Sequence, residues 1–213
     1  QVGVTEIIVN THHFAGQVTE YLKANNNFGL RIEVSQEDVL LDTGGGLKKA
    51  AWFFREGGAA APFILHNVDV LSNIDLKAMV EEHGRSNSLA TLAVQKRDSS
   101  RYLLFDQQMQ LCGRRFVRED RTELVRPKPD LQALAFSGIH VISPRLLELI
   151  AEDGVFSIVE TYLRLAGLSE NGYRITGYLA DGAYWRDLGR RESVEQAARD
   201  VKVSPLLSGL ESK

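Results

Sequence analysis

Short apolar runs alternate with amphipathic stretches along the chain, the pattern of βα units in which helices cover a largely parallel sheet. Ile7 to Val9 reads as a strand. Thr11 is placed to cap a helix carrying Phe14, Val18, Tyr21 and Leu22 at helical spacing, and Asn25-Asn26-Asn27 ends it. Leu30 to Val34 alternates as a half-buried strand, a glycine run follows, and Leu47 to Phe54 suits a helix with Lys48 and Lys49 partly exposed. Pro62 to Leu65 predicts the next strand. Ser72 or Asn73 is a candidate cap for Ile74 to Glu82, where Leu76, Met79 and Val80 share a face, and Leu89 to Val94 returns to strand.

The second half is less regular. Tyr102 to Phe105 and Gln110 to Val117 read as antiparallel strands around Asp106-Gln107-Gln108, and Arg118 to Asp130 as a polar surface loop. Leu134 to Ile142 is an apolar strand interrupted by Ser137-Gly138, and Pro144 can open a helix over Arg145 to Ala151. Ile158 to Leu165 predicts another helix. Tyr173 to Leu179 and Ala183 to Trp185 suggest a strand pair around Asp181-Gly182, before a last helix with Val194, Ala197, Ala198 and Val201 on one face. The expected class is α/β: a Rossmann-like, mostly parallel sheet flanked by helices with a small antiparallel excursion, in a single domain over residues 1–213.

Composition narrows the classes. With 213 residues, 44% hydrophobic and 25% charged, the chain can bury one substantial core. Lys and Arg total 25 against 28 Asp and Glu, and a net charge of -3 argues against nucleic acid as a partner. The one cysteine, Cys112, rules out an intramolecular disulfide and a cysteine-rich zinc site, and fits a reducing compartment. No apolar run approaches the ~20 residues that span a bilayer, so the sequence reads as cytoplasmic with no membrane partner.

Two aspartates follow apolar stretches in opposite halves of the chain. Asp69 closes Phe63-Ile64-Leu65-His66-Asn67-Val68-Asp69, and Asp187 lies in Tyr184-Trp185-Arg186-Asp187-Leu188-Gly189. Ionised carboxylates at the ends of buried strands need a partner or a metal, and ligands of open α/β sheets bind outside such ends. One or two carboxylates with phosphate oxygens and waters suffice for magnesium, so Asp69 and Asp187 are candidate metal ligands and catalytic residues. The plainer readings are a turn cap for Asp69 and an Arg186–Asp187 surface pair beside a core tryptophan. The Thr43-Gly44-Gly45-Gly46 run is either a tight turn or a place where backbone amides approach a ligand before a helix begins; it lacks the Lys-Ser/Thr ending of a P-loop. Gly138 within an apolar strand marks a bulge or a close backbone approach. His12 and His13 lack metal spacing, His66 and His140 read as core or pocket-wall residues, and His83 as an exposed helix residue.

Taken in order, Val9-Asn10-Thr11-His12, Leu41 to Ala50, Asn67-Val68-Asp69-Val70-Leu71, Phe136 to Pro144 and Tyr184 to Gly189 resemble the sugar-1-phosphate nucleotidyltransferases over nearly the whole chain. The nearest subgroup is mannose-1-phosphate guanylyltransferase-like or N-acetylmuramate-1-phosphate uridylyltransferase-like. The resemblance implies the nucleotide-diphospho-sugar transferase fold, with Mg2+ as cofactor held by Asp69 and Asp187. It places Thr43, Gly44, Gly45 and Asn67 against the nucleotide and Gly138 near the sugar. The implied reaction joins a sugar 1-phosphate to a nucleoside triphosphate, giving a nucleotide sugar and pyrophosphate. Two departures qualify it: Val68 stands where the family commonly has glycine, and the family's N-terminal strand and glycine-rich, Arg-containing triphosphate loop are missing from this sequence. The expectation is therefore an N-terminally truncated chain with little nucleotidyl transfer on its own. A non-catalytic nucleotide or sugar-phosphate binding module and a metal-dependent glycosyltransferase remain the rival readings.

Overall fold

The computed structural model describes residues 3–55 and 61–203. The strands are β1 (Glu6–Thr11), β2 (Arg31–Gln36), β3 (Phe63–His66), β4 (Val70–Ser72), β5 (Ala90–Gln95), β6 (Arg101–Phe105), β7 (Leu111–Phe116), β8 (Arg121–Leu124), β9 (Gln132–Ile142), β10 (Ile175–Leu179) and β11 (Trp185–Asp187). The helices are α1 (Ala15–Ala24), α2 (Asp42–Ala50), α3 (Leu76–Ser86), α4 (Arg145–Glu148), α5 (Ile158–Gly167) and α6 (Arg191–Val203). None of them is long and apolar enough to cross a membrane.

Seven strands form the main sheet in the order β10-β5-β9-β6-β7-β8, with β3 also pairing β9. β1 and β2 pair in parallel as a separate two-stranded sheet, and β4 with β11 forms an antiparallel ribbon. The α/β class holds, and β3, β5 and β10 share one direction. The eleven-residue β9 runs against both β3 and β5, which makes the antiparallel part larger than the small excursion the alternation suggests.

Side-chain alternation along the buried strands gives two cores. Leu92, Leu103, Phe105, Leu134 and Ile142 pack beneath Leu47 of α2, Leu146 of α4 and Tyr162 of α5. On the other face, Ala93, Ile139 and Val141 pack with Met79 of α3 and Ala180.

Local chemistry overrides several sequence expectations. Thr11 is the last residue of β1, buried, and no cap; α1 begins after Phe14, which adopts left-handed backbone geometry. α3 is capped by Asp75, whose carboxylate accepts from Ala78 N at 3.0 Å, while Asn73 Oδ1 accepts from Tyr184 N at 2.7 Å. The polar stretch after Val117 contains β8, which extends the sheet from β7. β10 and β11 do not pair with each other: one joins β5 and the other β4. His83 is buried, with Nδ1 2.9 Å from Thr91 Oγ1.

The glycine run is the largest departure. Gly44, Gly45 and Gly46 lie inside α2, not in a loop before it, and all three are buried. A Cβ on Gly44 would enter the Phe156 ring, one on Gly45 would overlap the Gly154 carbonyl oxygen and come within 2.9 Å of Leu41 Cβ, and one on Gly46 would meet Asn10 Nδ2 at 2.7 Å. Close packing is the reason for glycine here. The helix-propensity gain of Gly→Ala, about 1 kcal/mol, competes at Gly45 with an overpacking cost of about 1–3 kcal/mol against a backbone carbonyl that cannot swing aside. Gly45→Ala is therefore expected to lower the midpoint of urea unfolding. Gly84→Ala, at an exposed position of α3 with nothing within 4 Å of the added methyl, is expected to raise it.

His140 of β9 is fully buried, its Nδ1 lies 2.8 Å from the Tyr162 hydroxyl, and its Nε2 has no partner. Burial, with a smaller push from His66, lowers its pKa to about 3. Because the folded pKa is depressed, the unfolded chain binds the extra proton first. The stability contributed by neutral His140 is complete above about pH 6.5 and is lost as pH falls toward about 3, at up to ~1.4 kcal/mol per pH unit. Burial also lowers His83, which adds in the same direction. Glu152, bonded to Arg164 and lowered to about 2, acts only below the ordinary carboxylate range. Unfolding followed between about pH 7 and about pH 5 should show stability falling with acid, and His140→Gln should flatten that slope without abolishing the His83 part.

Candidate active site

The chain turns sharply after β3. Asn67 N donates to Gly138 O at 2.9 Å, and Val70 N donates back to Asn67 O at 3.1 Å, so Val68 and Asp69 project from the sheet end; Val68 is 93% exposed. The β4–β11 ribbon then sets the second aspartate opposite the first. Asp187 pairs with Val70 in register, and Leu188 N donates to Asp69 O at 2.7 Å. The two carboxylates converge over Gly189: a Cβ built there would lie 3.0 Å from Asp187 Oδ1 and 3.6 Å from Asp69 Oδ2. Gly189 N also donates to Asp187 Oδ1 at 2.7 Å. The structure thus brings together the two aspartates that the sequence singles out.

The plain alternatives for both residues fall away. Arg186 pairs with Asp200 of α6 at 2.7 Å and with the Tyr184 hydroxyl, so it does not neutralise Asp187, and α3 takes its cap from Asp75 instead of Asp69. Both carboxylates are exposed and share an open face. That donor set fits a hard divalent ion such as magnesium, which takes one or two carboxylates and completes its octahedron with water and substrate oxygens. Among the described residues no cluster of three or more His, Cys, Asp or Glu could hold an ion by protein ligands alone.

The other expected contacts divide. Asn67 sits directly against Gly138, whose φ of 71° is left-handed; a Cβ there would lie 2.9 Å from Asn67 Nδ2. Gly138 is thus both a close backbone approach and part of an irregularity, since β5 and β9 shift register between Leu92 and Val94. The approach is to Asn67 of the same chain. Thr43, Gly44 and Gly45 do not present free backbone amides. Gly44 N and Gly45 N donate to Phe156 O at 2.9 and 3.3 Å, Thr43 N donates to Asp42 Oδ1, and Thr43 Oγ1 accepts from Ile158 N. Amides already satisfied inside a packed helix turn are poor phosphate donors, which corrects the reading of this run as an amide cradle.

One residue at the site went unmarked in the sequence. Arg97, two residues past β5, stacks its guanidinium 3.6 Å from the centre of the Trp185 ring and donates from Nη2 to Phe136 O at 2.7 Å. Trp185 is fixed in turn, with Nε1 donating to Ser137 O at 2.8 Å. Burial lowers the Arg97 pKa, opposed in part by Tyr102 and then by Asp187. Its position just beyond a fully buried strand was the available signal, but Lys96-Arg97-Asp98 reads locally as an ordinary solvated charge run.

Comparison with known proteins agrees with this architecture. The chain is 29% identical over 197 residues to N-acetylmuramate alpha-1-phosphate uridylyltransferase of Caulobacter vibrioides, a match covering 87% of this chain and 73% of that one. It is 26% identical over 214 residues to mannose-1-phosphate guanylyltransferase of Mycobacterium tuberculosis, covering 97% of this chain and 55% of that one. Against several of its curated relatives the chain spans about half their length. The crystal structure of HddC from Yersinia pseudotuberculosis superposes with a TM-score of 0.67 at 21% identity, covering 93% of this chain and 79% of that one, a likeness of fold. The Nucleotidyl transferase family model matches residues 1–204, and the chain belongs to that family.

Proposed function

We propose that the site carries nucleotidyl transfer from a nucleoside triphosphate to a sugar 1-phosphate. The observation that carries this reading is the convergence of Asp69 and Asp187 at the end of β3, with Arg186 diverted to Asp200. A phosphate oxygen of the sugar phosphate would form the new bond to the α-phosphorus as the bond to the bridging oxygen breaks, and pyrophosphate would leave with that electron pair. A divalent ion, when bound, supplies positive charge to the phosphate oxygens. Asp69 and Asp187 would hold that ion, the Gly189 amide would orient the Asp187 carboxylate, and Asn67 would fix the turn that carries Asp69. The relatives named for guanylyl and uridylyl transfer to sugar 1-phosphates support the reaction class.

Pyrophosphate release with magnesium, across a panel of nucleoside triphosphates and sugar 1-phosphates, tests the reading in this chain and in one extended upstream by a glycine-rich triphosphate loop, with the variants compared in the extended form. Asp69→Asn and Asp187→Asn are each expected to cut kcat/KM by about 100-fold or more while leaving far-UV circular dichroism unchanged, because both side chains are exposed and support no core packing. Release of a nucleoside diphosphate from an added nucleotide sugar, with no pyrophosphate from any triphosphate, would point to sugar transfer from a ready-made donor and overturn the proposal.

A further inference from the structure

Asp187 has a cation as its chain neighbour. Arg186 sits beside it on the three-residue β11, which with β4 makes only a two-stranded ribbon, so strand parity alone separates a long, flexible guanidinium side chain from the Asp187 carboxylate. The group that holds this side chain away lies outside the sheet, on α6. Asp200 Oδ2 accepts from Arg186 Nη2 at 2.7 Å, from Arg186 Nε at 3.0 Å and from the Tyr184 hydroxyl at 2.8 Å, and Asp200 Oδ1 accepts from Gln196 Nε2 at 2.8 Å. Arg186 Nε also donates to the Tyr184 oxygen at 2.9 Å.

This cluster differs from an ordinary surface pair. The Arg186 and Asp200 side chains are 32% and 20% exposed, whereas those of the Arg191–Glu195 pair on the same helix are 90% and 54% exposed and belong to the class that contributes little. Charge is balanced within it, one carboxylate against one guanidinium, and a phenol and an amide complete the hydrogen bonds. Ala197 is the one buried side chain among the described residues of α6, so the Asp200 cluster carries much of the attachment of this helix to the ribbon.

We propose that Asp200 is a positioning residue for divalent-cation binding at Asp69 and Asp187. By holding and neutralising Arg186 on the far side of β11, it keeps the two carboxylates free for the ion, and it makes the docking of α6 a condition of that binding. Asp200 acts through Arg186 and touches neither carboxylate. Once its charge is removed, Arg186 is an unbalanced cation one residue from an exposed carboxylate, tethered at high effective concentration and competing with the ion. Even without a direct contact, one uncompensated charge within several ångströms of a divalent ion in a water-exposed site lowers its affinity roughly fivefold.

The inference rests on the reading of Asp69 and Asp187 as the metal-holding pair, and binding of the metal alone tests it without turnover. Titration of the full chain with Mn2+, a magnesium stand-in whose free-ion signal is read by electron paramagnetic resonance, is expected to show a site that needs both aspartates. Asp200→Asn, which keeps the shape but not the charge, should weaken that site by about fivefold or more. Arg186→Gln should bind at least as tightly as wild type. The double variant should return to wild-type affinity, although it has lost more of the hydrogen-bonded cluster than either single variant. A cluster that only braced α6 would give the opposite order, with both single variants weakened and the double variant weakest. Far-UV circular dichroism checks the fold, and if Asp200→Asn does not fold, Arg186→Gln still decides, since a bracing role predicts a loss of affinity there.

Mn2+ binding that needs both aspartates but is indifferent to Asp200→Asn, or that is weakened by Arg186→Gln, would overturn the assignment and leave the metal site standing. Absent binding, or binding that ignores Asp69→Asn and Asp187→Asn, would defeat the metal site and the assignment with it. Binding that follows the expected order in a protein without pyrophosphate-releasing activity would support Asp200 and defeat the transfer reading.

Discussion

Three successive carbonyls of β9 hold the site together. Phe136 O accepts from Arg97, Ser137 O from the Trp185 indole, and Gly138 O from the Asn67 amide that starts the turn to Asp69. In a regular strand between two neighbours these oxygens would be committed to the ladder. Here the register with β5 shifts between Leu92 and Val94, and Gly138 adopts a φ of 71°, so the backbone faces out where the pairing lapses. The irregularity is affordable because the strand is otherwise so well fixed: β9 pairs β3, β5 and β6, and its Ile139, Val141 and Ile142 are fully buried. A rigid scaffold with one local lapse aims three groups at one place.

The three-residue β11 divides its side chains by strand parity. Trp185 and Asp187 fall on one side, toward Ser137 and Asp69, and Arg186 falls on the other, toward Asp200. A one-residue slip against β4 would exchange them, putting a cation where Asp69 needs a second carboxylate. The register is protected at both ends, by Tyr184 N donating to Asn73 Oδ1 and by Leu188 N donating to Asp69 O. The second of these bonds uses the backbone of a site residue, so the ladder that sets the register also sets the distance between the two carboxylates.

How much of this the sequence showed follows from what each signal measures. Buried strands read well: β5 and β9 stand within a residue or two of the apolar runs that announce them, because burial on both faces leaves a nearly continuous hydrophobic run. The aspartates were legible too, since charge after such a run demands a partner. Pairing was not. β10 and β11 look like a hairpin around Asp181-Gly182, yet each finds a partner more than 80 residues away, and nothing local records that choice. Glycine carried an ambiguity of its own. A run of three is as compatible with a helix pressed against its neighbours as with a loop around a ligand, and only the positions of Phe156, Gly154 and Asn10 decide between them. Arg97 was hidden for a similar reason, because its meaning lies in Trp185 and Phe136, both distant in sequence.

Opposite charges left near each other normally pair, and among the described residues Arg97 and Asp187 form no ion pair, although Arg97 lies within the field of Asp187. The geometry gives the cause. The guanidinium is held flat on the indole and tied to Phe136 O, while Asp187 is drawn toward Gly189 N. A direct pair would satisfy both groups and close the site, with a gain at a half-exposed surface of only ~0–1 kcal/mol. The stack and the two hydrogen bonds together outweigh that gain, so the charges stay apart and the carboxylates keep an open face. Carboxylates left open can share a cation. Fixing those charges during folding means that little reorganisation remains when charged ligands arrive, which is how a preorganised site differs from an ordinary salt bridge.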